Sequence, residues 1–195
     1  MPALRFIRRH FSRLIVVVLA VSALGGWVLS RQANKPVDAH LTTPGEVPYP
    51  TLATNEKVVG ASLPRVDILN ESGSLVSTAQ WIGRPLVINF WYSTCEPCRR
   101  EMPLLARTAK EYSSTVTFLG VNMNDSTDVA RRFAGKYGVT YDLLFDVNGD
   151  LTRNLGVATA PVTLFIDERG TIVDQVAGEL NDADLLERLR RWFSL

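Results

Sequence analysis

Leu86-Val87-Ile88-Asn89-Phe90-Trp91-Tyr92-Ser93-Thr94-Cys95-Glu96-Pro97-Cys98 is the stretch from which the fold can be read. It holds the only two cysteines among 195 residues, spaced Cys-x-x-Cys. The mainly apolar run Leu86 to Trp91 predicts a buried strand. Arg99 to Tyr112 predicts a helix, with Met102, Leu104, Leu105 and Ala109 on its apolar face and Pro103 as a kink. A dithiol therefore sits where a strand turns into a helix. The first cysteine falls at a helix N-terminus, where unpaired N–H groups and the dipole favour an anion. That lowers a thiol pKa and raises the thiolate population. The second lies about one turn on and can close a short disulfide. Cys95 is thus expected to attack a partner disulfide and Cys98 to resolve the mixed disulfide. Pro97 suits a first helical turn, where its missing N–H loses nothing.

Other readings of the pair are half a zinc site or a structural disulfide. The two histidines, His10 and His40, lie far from it, which disfavours zinc. A disulfide closing so short a loop constrains little chain. Haem attachment would need a histidine after the second cysteine, and Arg99 stands there.

Outward from the dithiol, strands are expected at Val66–Leu69, Leu75–Ser77, Val116–Val121, Tyr141–Phe145, Val162–Ile166 and Thr171–Val176. Asn70 to Gly73 and Asp167 to Gly170 read as hairpin turns, and Gly178 as a bend. Helices are expected over Asp125–Tyr137, with Val129, Phe133 and Tyr137 inward, and from Asn181 or Asp182 to Trp192, with Leu185, Leu189 and Trp192 inward. Leu151 to Leu155 reads as a helical turn. Trp81, Phe90, Trp91 and Phe118 are assigned to the core. This order predicts an α/β domain, a mixed central sheet covered by helices on both faces, with an N-terminal β-hairpin.

The N-terminal third differs. Residues 1–37 carry six of the 21 basic side chains and no acidic one; the remainder holds 15 basic against 20 acidic, which argues against nucleic-acid binding. Residues 1–13 form a basic cytoplasmic segment, and 14–30 an apolar transmembrane signal anchor. A cleaved signal peptide, with Val21-Ser22-Ala23 as a poor site, is the weaker reading and would make the protein secreted. Residues 31–62, with Pro36, Pro44, Pro48 and Pro50, read as an extended linker, and 63–195 as the domain. The domain would then face an extracytoplasmic, disulfide-permissive space.

Several separated motifs now coincide: Asn89-Phe90-Trp91, Cys95-Glu96-Pro97-Cys98, Glu101-Met102-Pro103, Gly120-Val121-Asn122-Met123-Asn124-Asp125, and Ala160-Pro161 followed by Val162 to Asp167. Together they resemble the thioredoxin superfamily, and within it the TlpA/ResA-like membrane-anchored thiol–disulfide oxidoreductases, over roughly residues 60–195. The resemblance implies a thioredoxin-like fold and a cis bond before Pro161. It also implies a substrate strand hydrogen-bonded to the backbone of Ala160 beside the dithiol. Thioredoxins proper carry a buried aspartate six residues before the first cysteine; Asn89 is there and cannot relay a proton. The resemblance gives that task to Glu101, three residues after Cys98, as acid/base for the resolving thiol with a pKa raised by burial.

Glu96 lies between the cysteines. It either disfavours the neighbouring thiolate, making the dithiol a milder oxidant, or is an exposed charge of little effect. Thr94 replaces the tryptophan usual before the first cysteine, and Tyr92 either compensates or packs. The function implied is reduction of specific extracytoplasmic protein disulfides, for example apocytochrome or copper-site cysteines. A membrane thiol–disulfide carrier would be the electron donor, the N-terminal helix would hold the membrane, and no cofactor is called for. The alternatives are a disulfide oxidant in folding, a thiol peroxidase and a copper-delivery protein. A peroxidase would need Thr or Ser where Tyr92 stands and a proline where Ile88 stands. Copper delivery would want a histidine in the domain.

Overall fold

The computed structural model describes residues 18–25, 27 and 54–194. The chain divides into two units, Met1–Tyr49 and Pro50–Leu195. In the first, residues 18–25 and 27 are helical, with exposed side chains. Among the described residues no helix is long and apolar enough to cross a membrane. Residues 14–17, 26 and 28–30 of the expected anchor, and residues 31–53 of the expected linker, lie outside the described residues.

The second unit is a seven-stranded mixed sheet. Its strands are β1 (Asp67–Asn70), β2 (Leu75–Ser77), β3 (Leu86–Trp91), β4 (Thr117–Asn122), β5 (Asp142–Phe145), β6 (Val162–Ile166) and β7 (Ile172–Ala177). They lie in the order β2-β1-β5-β4-β3-β6-β7. The helices are α1 (Glu96–Glu111), α2 (Thr127–Lys136), α3 (Asp150–Asn154) and α4 (Asp182–Phe193), with a 3-10 turn over Thr78–Trp81. β3, β4 and β5 run parallel; β6 is antiparallel to β3, and β1 to β5. The hairpin β1–β2 forms as expected, with Ile68 opposite Val76.

β3 reads as a continuous run because it is buried along its whole length. Leu86, Ile88 and Phe90 enter a core with Leu119, Val121, Leu144, Val162, Leu164, Leu151 and Leu155. Val87 and Trp91 face the other way, toward residues of α1, α2 and α4. Asn89 shares that second face by strand alternation. It is the polar residue in an otherwise apolar central strand.

α1 begins at Glu96, with Cys95 as its cap and Pro97 in the first turn, as the dithiol spacing led one to expect. Three other sequence readings are corrected. Val129 is 38% exposed; α2 packs through Ala130 and Ala134, with Phe133 and Tyr137 alongside. Trp192 is 41% exposed, its indole donating to Asp174 Oδ2 at 3.0 Å, while Leu185 and Leu189 are buried. Residues 55–62, read as linker, are bonded into the domain. Gly60 N donates to Ile172 O (2.8 Å), Leu63 N donates to Gly170 O (2.8 Å), and Ser62 bridges Thr171.

Candidate active site

The parallel connection from β3 through α1 to β4 brings the end of β3 and the start of α1 together. Cys95 is the residue before the helix, and its Sγ accepts the Cys98 N–H at 3.2 Å. Pro97 lies in the first turn. Cys95 and Cys98 form a disulfide with Cα atoms 5.2 Å apart. Both cysteines are buried, Cys95 4% exposed and Cys98 1%. The cysteines share a cluster with Trp91, Met102, Ala130, Ala134, Leu143 and Phe145. Trp91 stacks on Phe133 with centroids 5.7 Å apart. Tyr92 packs against this cluster, whereas Thr94 is exposed.

The turn before Cys95 is held by Ser93 together with Asn122 and Asp125, which the sequence offered as part of a motif but not as site residues. Asp125 accepts from Ser93 N (2.7 Å), Ser93 Oγ (2.6 Å) and Asn122 Nδ2 (2.8 Å). Asn122 Oδ1 in turn accepts from Asp125 N at 2.7 Å. Ser126 takes the cap position of α2, and Asp125 reaches back to the dithiol loop. A polar cluster just after a buried strand was the available signal.

Glu101 is 1% exposed and lies on α1, three residues after Cys98. Asn89 Nδ2 donates to its Oε1 (2.8 Å) and Leu180 N to its Oε2 (2.9 Å). Burial pushes its pKa from 4.5 up to about 7; the Leu180 and Asn89 hydrogen bonds oppose the rise, and the Glu179 charge adds to it. Asn89 also donates to Thr163 Oγ1 at 3.1 Å, and its Oδ1 is buried with no partner among the described residues. That free oxygen matters chemically. A half-turn of the amide presents an acceptor to a protonated Glu101, so Asn89 can serve either state of the acid. An aspartate at 89 would instead set two carboxylates against each other. Trp91 Nε1 and the Tyr141 hydroxyl are likewise buried without partners among the described residues. Gly120, opposite Asn89 in the sheet, makes room for both rings: a Cβ there would lie 3.0 Å from Trp91 Nε1 and 3.1 Å from Tyr141 Cε2.

Glu96 is exposed and ion-paired with Arg99 (3.1 Å) and Arg100 (3.7 Å). Arg100 also grips Glu179 with Nε and a terminal nitrogen. The carboxylate between the cysteines is therefore compensated by two guanidinium groups. Across from the helix, the Ala160–Pro161 bond is cis. Ala160 packs against the cluster that holds both cysteines. The structure thus packs Cys95, Cys98 and Ala160 together, with Glu96 and Pro97 in the first turn of α1 and Glu101 on the same helix three residues after Cys98.

Residues 58–189 match the family model described as redoxin. The chain is 35% identical over 135 residues to the thiol:disulfide interchange protein DsbE of Vibrio cholerae, covering 68% of this chain and 72% of that one. It is 25% identical over 134 residues to the thiol-disulfide oxidoreductase ResA of Bacillus thuringiensis subsp. konkukian, covering 68% and 78%. Among solved structures, dsbF of MTB, in mixed oxidized and reduced forms, matches with a TM-score of 0.60 and 28% identity over 65% of this chain and 94% of that one.

Proposed function

The chain belongs to the redoxin family, within the thioredoxin superfamily, and is a thiol–disulfide oxidoreductase; from that premise we propose that it works outside the cytoplasm as a reductase of particular protein disulfides. In the reduced enzyme the Cys95 thiolate attacks one sulfur of a substrate disulfide. The substrate S–S bond breaks, a mixed disulfide forms at Cys95, and the departing sulfur takes a proton from solvent. Cys98 gives its proton to the Glu101 carboxylate, and its thiolate attacks Cys95 Sγ. The second substrate sulfur leaves and is protonated. Two electrons have passed from the enzyme dithiol to the substrate, and the Cys95–Cys98 disulfide is closed.

The observation that carries this reading is Glu101. A buried carboxyl with a pKa near 7, less than one helical turn from the resolving cysteine, is a usable base at neutral pH. Ala160 and Pro161 line the groove where an extended substrate segment pairs by its backbone. Pro97 shapes the first turn, and Glu96 tunes the dithiol through a charge that Arg99 and Arg100 partly offset. Residues 14–30 anchor the enzyme, on the strength of the basic segment before them and their uncharged, apolar character. Its electrons come from a membrane thiol–disulfide carrier. The substrates are disulfides of extracytoplasmic proteins, including cysteines destined for haem or copper.

Direction is read from the reduction potential, measured by equilibrating the chain against defined thiol–disulfide buffers. A reductase lies near thioredoxin's value of about −270 mV; a value near about −120 mV makes the protein an oxidant instead.

A further inference from the structure

The loop that ends in Pro161 is not held by the sheet alone. Val157 N donates to Thr152 O (2.8 Å) at its start, and Pro161 O accepts from Gly178 N (2.9 Å) at its end. Between these points Ala158 and Thr159 are exposed. Their two consecutive N–H groups converge on one side-chain oxygen more than a hundred residues away in sequence. Asn55 Oδ1 accepts from Ala158 N at 2.8 Å and from Thr159 N at 3.0 Å.

Asn55 is itself fixed by the residues after it. Glu56 N donates to Gly156 O (2.9 Å), and Glu56 O accepts from Gln175 Nε2 (2.8 Å). Val58 N donates to Gln175 Oε1 (3.0 Å). Gly156 has φ +57°, and a Cβ on it would fall 2.5 Å from Glu56 Cβ and Cγ, so a glycine here lets the incoming segment lie directly on the loop. The segment ahead of β1 is therefore a brace clamped across Gly156 to Thr159, on β7 at one end and against the approach to Ala160 at the other.

We propose that Asn55 is a positioning residue of the substrate site, setting the Ala158–Ala160 backbone for pairing with the extended disulfide-bearing segment of a protein substrate. The proposal rests on the reading of Ala160 and Pro161 as the substrate groove. Its physical content is pre-organisation: a loop already fixed by two hydrogen bonds does not have to be ordered when the substrate docks. The thiol chemistry at Cys95 and Cys98 is untouched by Asn55. Loss of the brace thus weakens substrate binding and leaves the chemical step alone.

The test is steady-state reduction of insulin, with dithiothreitol as terminal reductant, by the full chain and three variants. Asn55→Ala is expected to raise KM for insulin about fivefold, the scale of one or two lost hydrogen bonds, with kcat unchanged. The rate at which dithiothreitol, too small to use the groove, opens the Cys95–Cys98 disulfide should not change. Asn55→Asp keeps an acceptor at the same place and should restore KM. Ala160→Trp, which obstructs the groove directly, should raise KM whatever Asn55 does. An unchanged KM in Asn55→Ala beside a raised KM in Ala160→Trp overturns the role of Asn55 and leaves the groove standing. No rise in either variant overturns both. A parallel loss of dithiothreitol reactivity in Asn55→Ala, or no rescue by Asn55→Asp, makes Asn55 a general structural contact and also overturns the proposal.

Discussion

Glu101 occupies a position that ordinarily costs a protein stability. A carboxyl whose pKa is near 7 when folded and 4.5 when unfolded keeps its proton longer in the native state. Its contribution is fully present below about pH 4.5 and is lost as pH rises through about 7, a change of about 3 kcal/mol across the window. Glu101→Gln removes this loss. Its amide oxygen still accepts the Leu180 N–H, and its NH2 finds the free Asn89 oxygen. Urea unfolding at pH 4.5 and pH 8 should show the stability difference moving in the variant's favour by about 3 kcal/mol at the higher pH. A difference independent of pH would contradict the burial that raises the pKa. The same substitution should slow insulin reduction on the order of a hundredfold at neutral pH and erase the limb of its pH profile near 7. Stability and activity then move in opposite directions, as expected of a residue kept for chemistry.

At the scale of elements, the dithiol turn depends on what holds both its ends. The helix end is legible in sequence: cysteine, proline and an apolar face mark it. The strand end is not, because it rests on Asp125 reaching across 32 residues to Ser93. Asp125→Ala leaves the Ser93 N–H unpaired in a half-buried place and should cost about 1–3 kcal/mol, read by urea denaturation, with Asp125→Asn recovering part of it. Equal stability of the alanine variant would mean that water serves the turn as well as the carboxylate does. The same distinction separates what sequence showed from what it hid. β3, β6 and the β1–β2 hairpin were legible because period and turn chemistry are local. The inner faces of α2 and α4 were misread at Val129 and Trp192 because size was taken for burial. α2 instead presses Ala130 and Ala134 against the sheet, and Trp192 turns its indole to Asp174 at the surface.

Across the whole molecule, the arrangement is a sheet that delivers three distant pieces of chain to one pole. β3 and α1 bring the dithiol and Glu101, the start of β6 brings Pro161, and the segment ahead of β1 brings Asn55 to the same loop. The first two were legible as motifs. The third was read as the end of a spacer, since hydrogen bonds between side chains and backbone a hundred residues apart leave no periodic trace. The proposed mechanism sets the order of events at that pole: Cys95, the less buried cysteine and the cap of α1, attacks, and Cys98, three residues before Glu101 on the helix, resolves. That order is tested most directly by trapping. The full chain carrying Cys98→Ala, or Cys95→Ala, is reduced, mixed with insulin and resolved without thiols. Cys98→Ala should accumulate a covalent adduct through Cys95 that dithiothreitol releases, and Cys95→Ala should form none. An adduct formed by Cys95→Ala and not by Cys98→Ala would reverse the roles and contradict the mechanism.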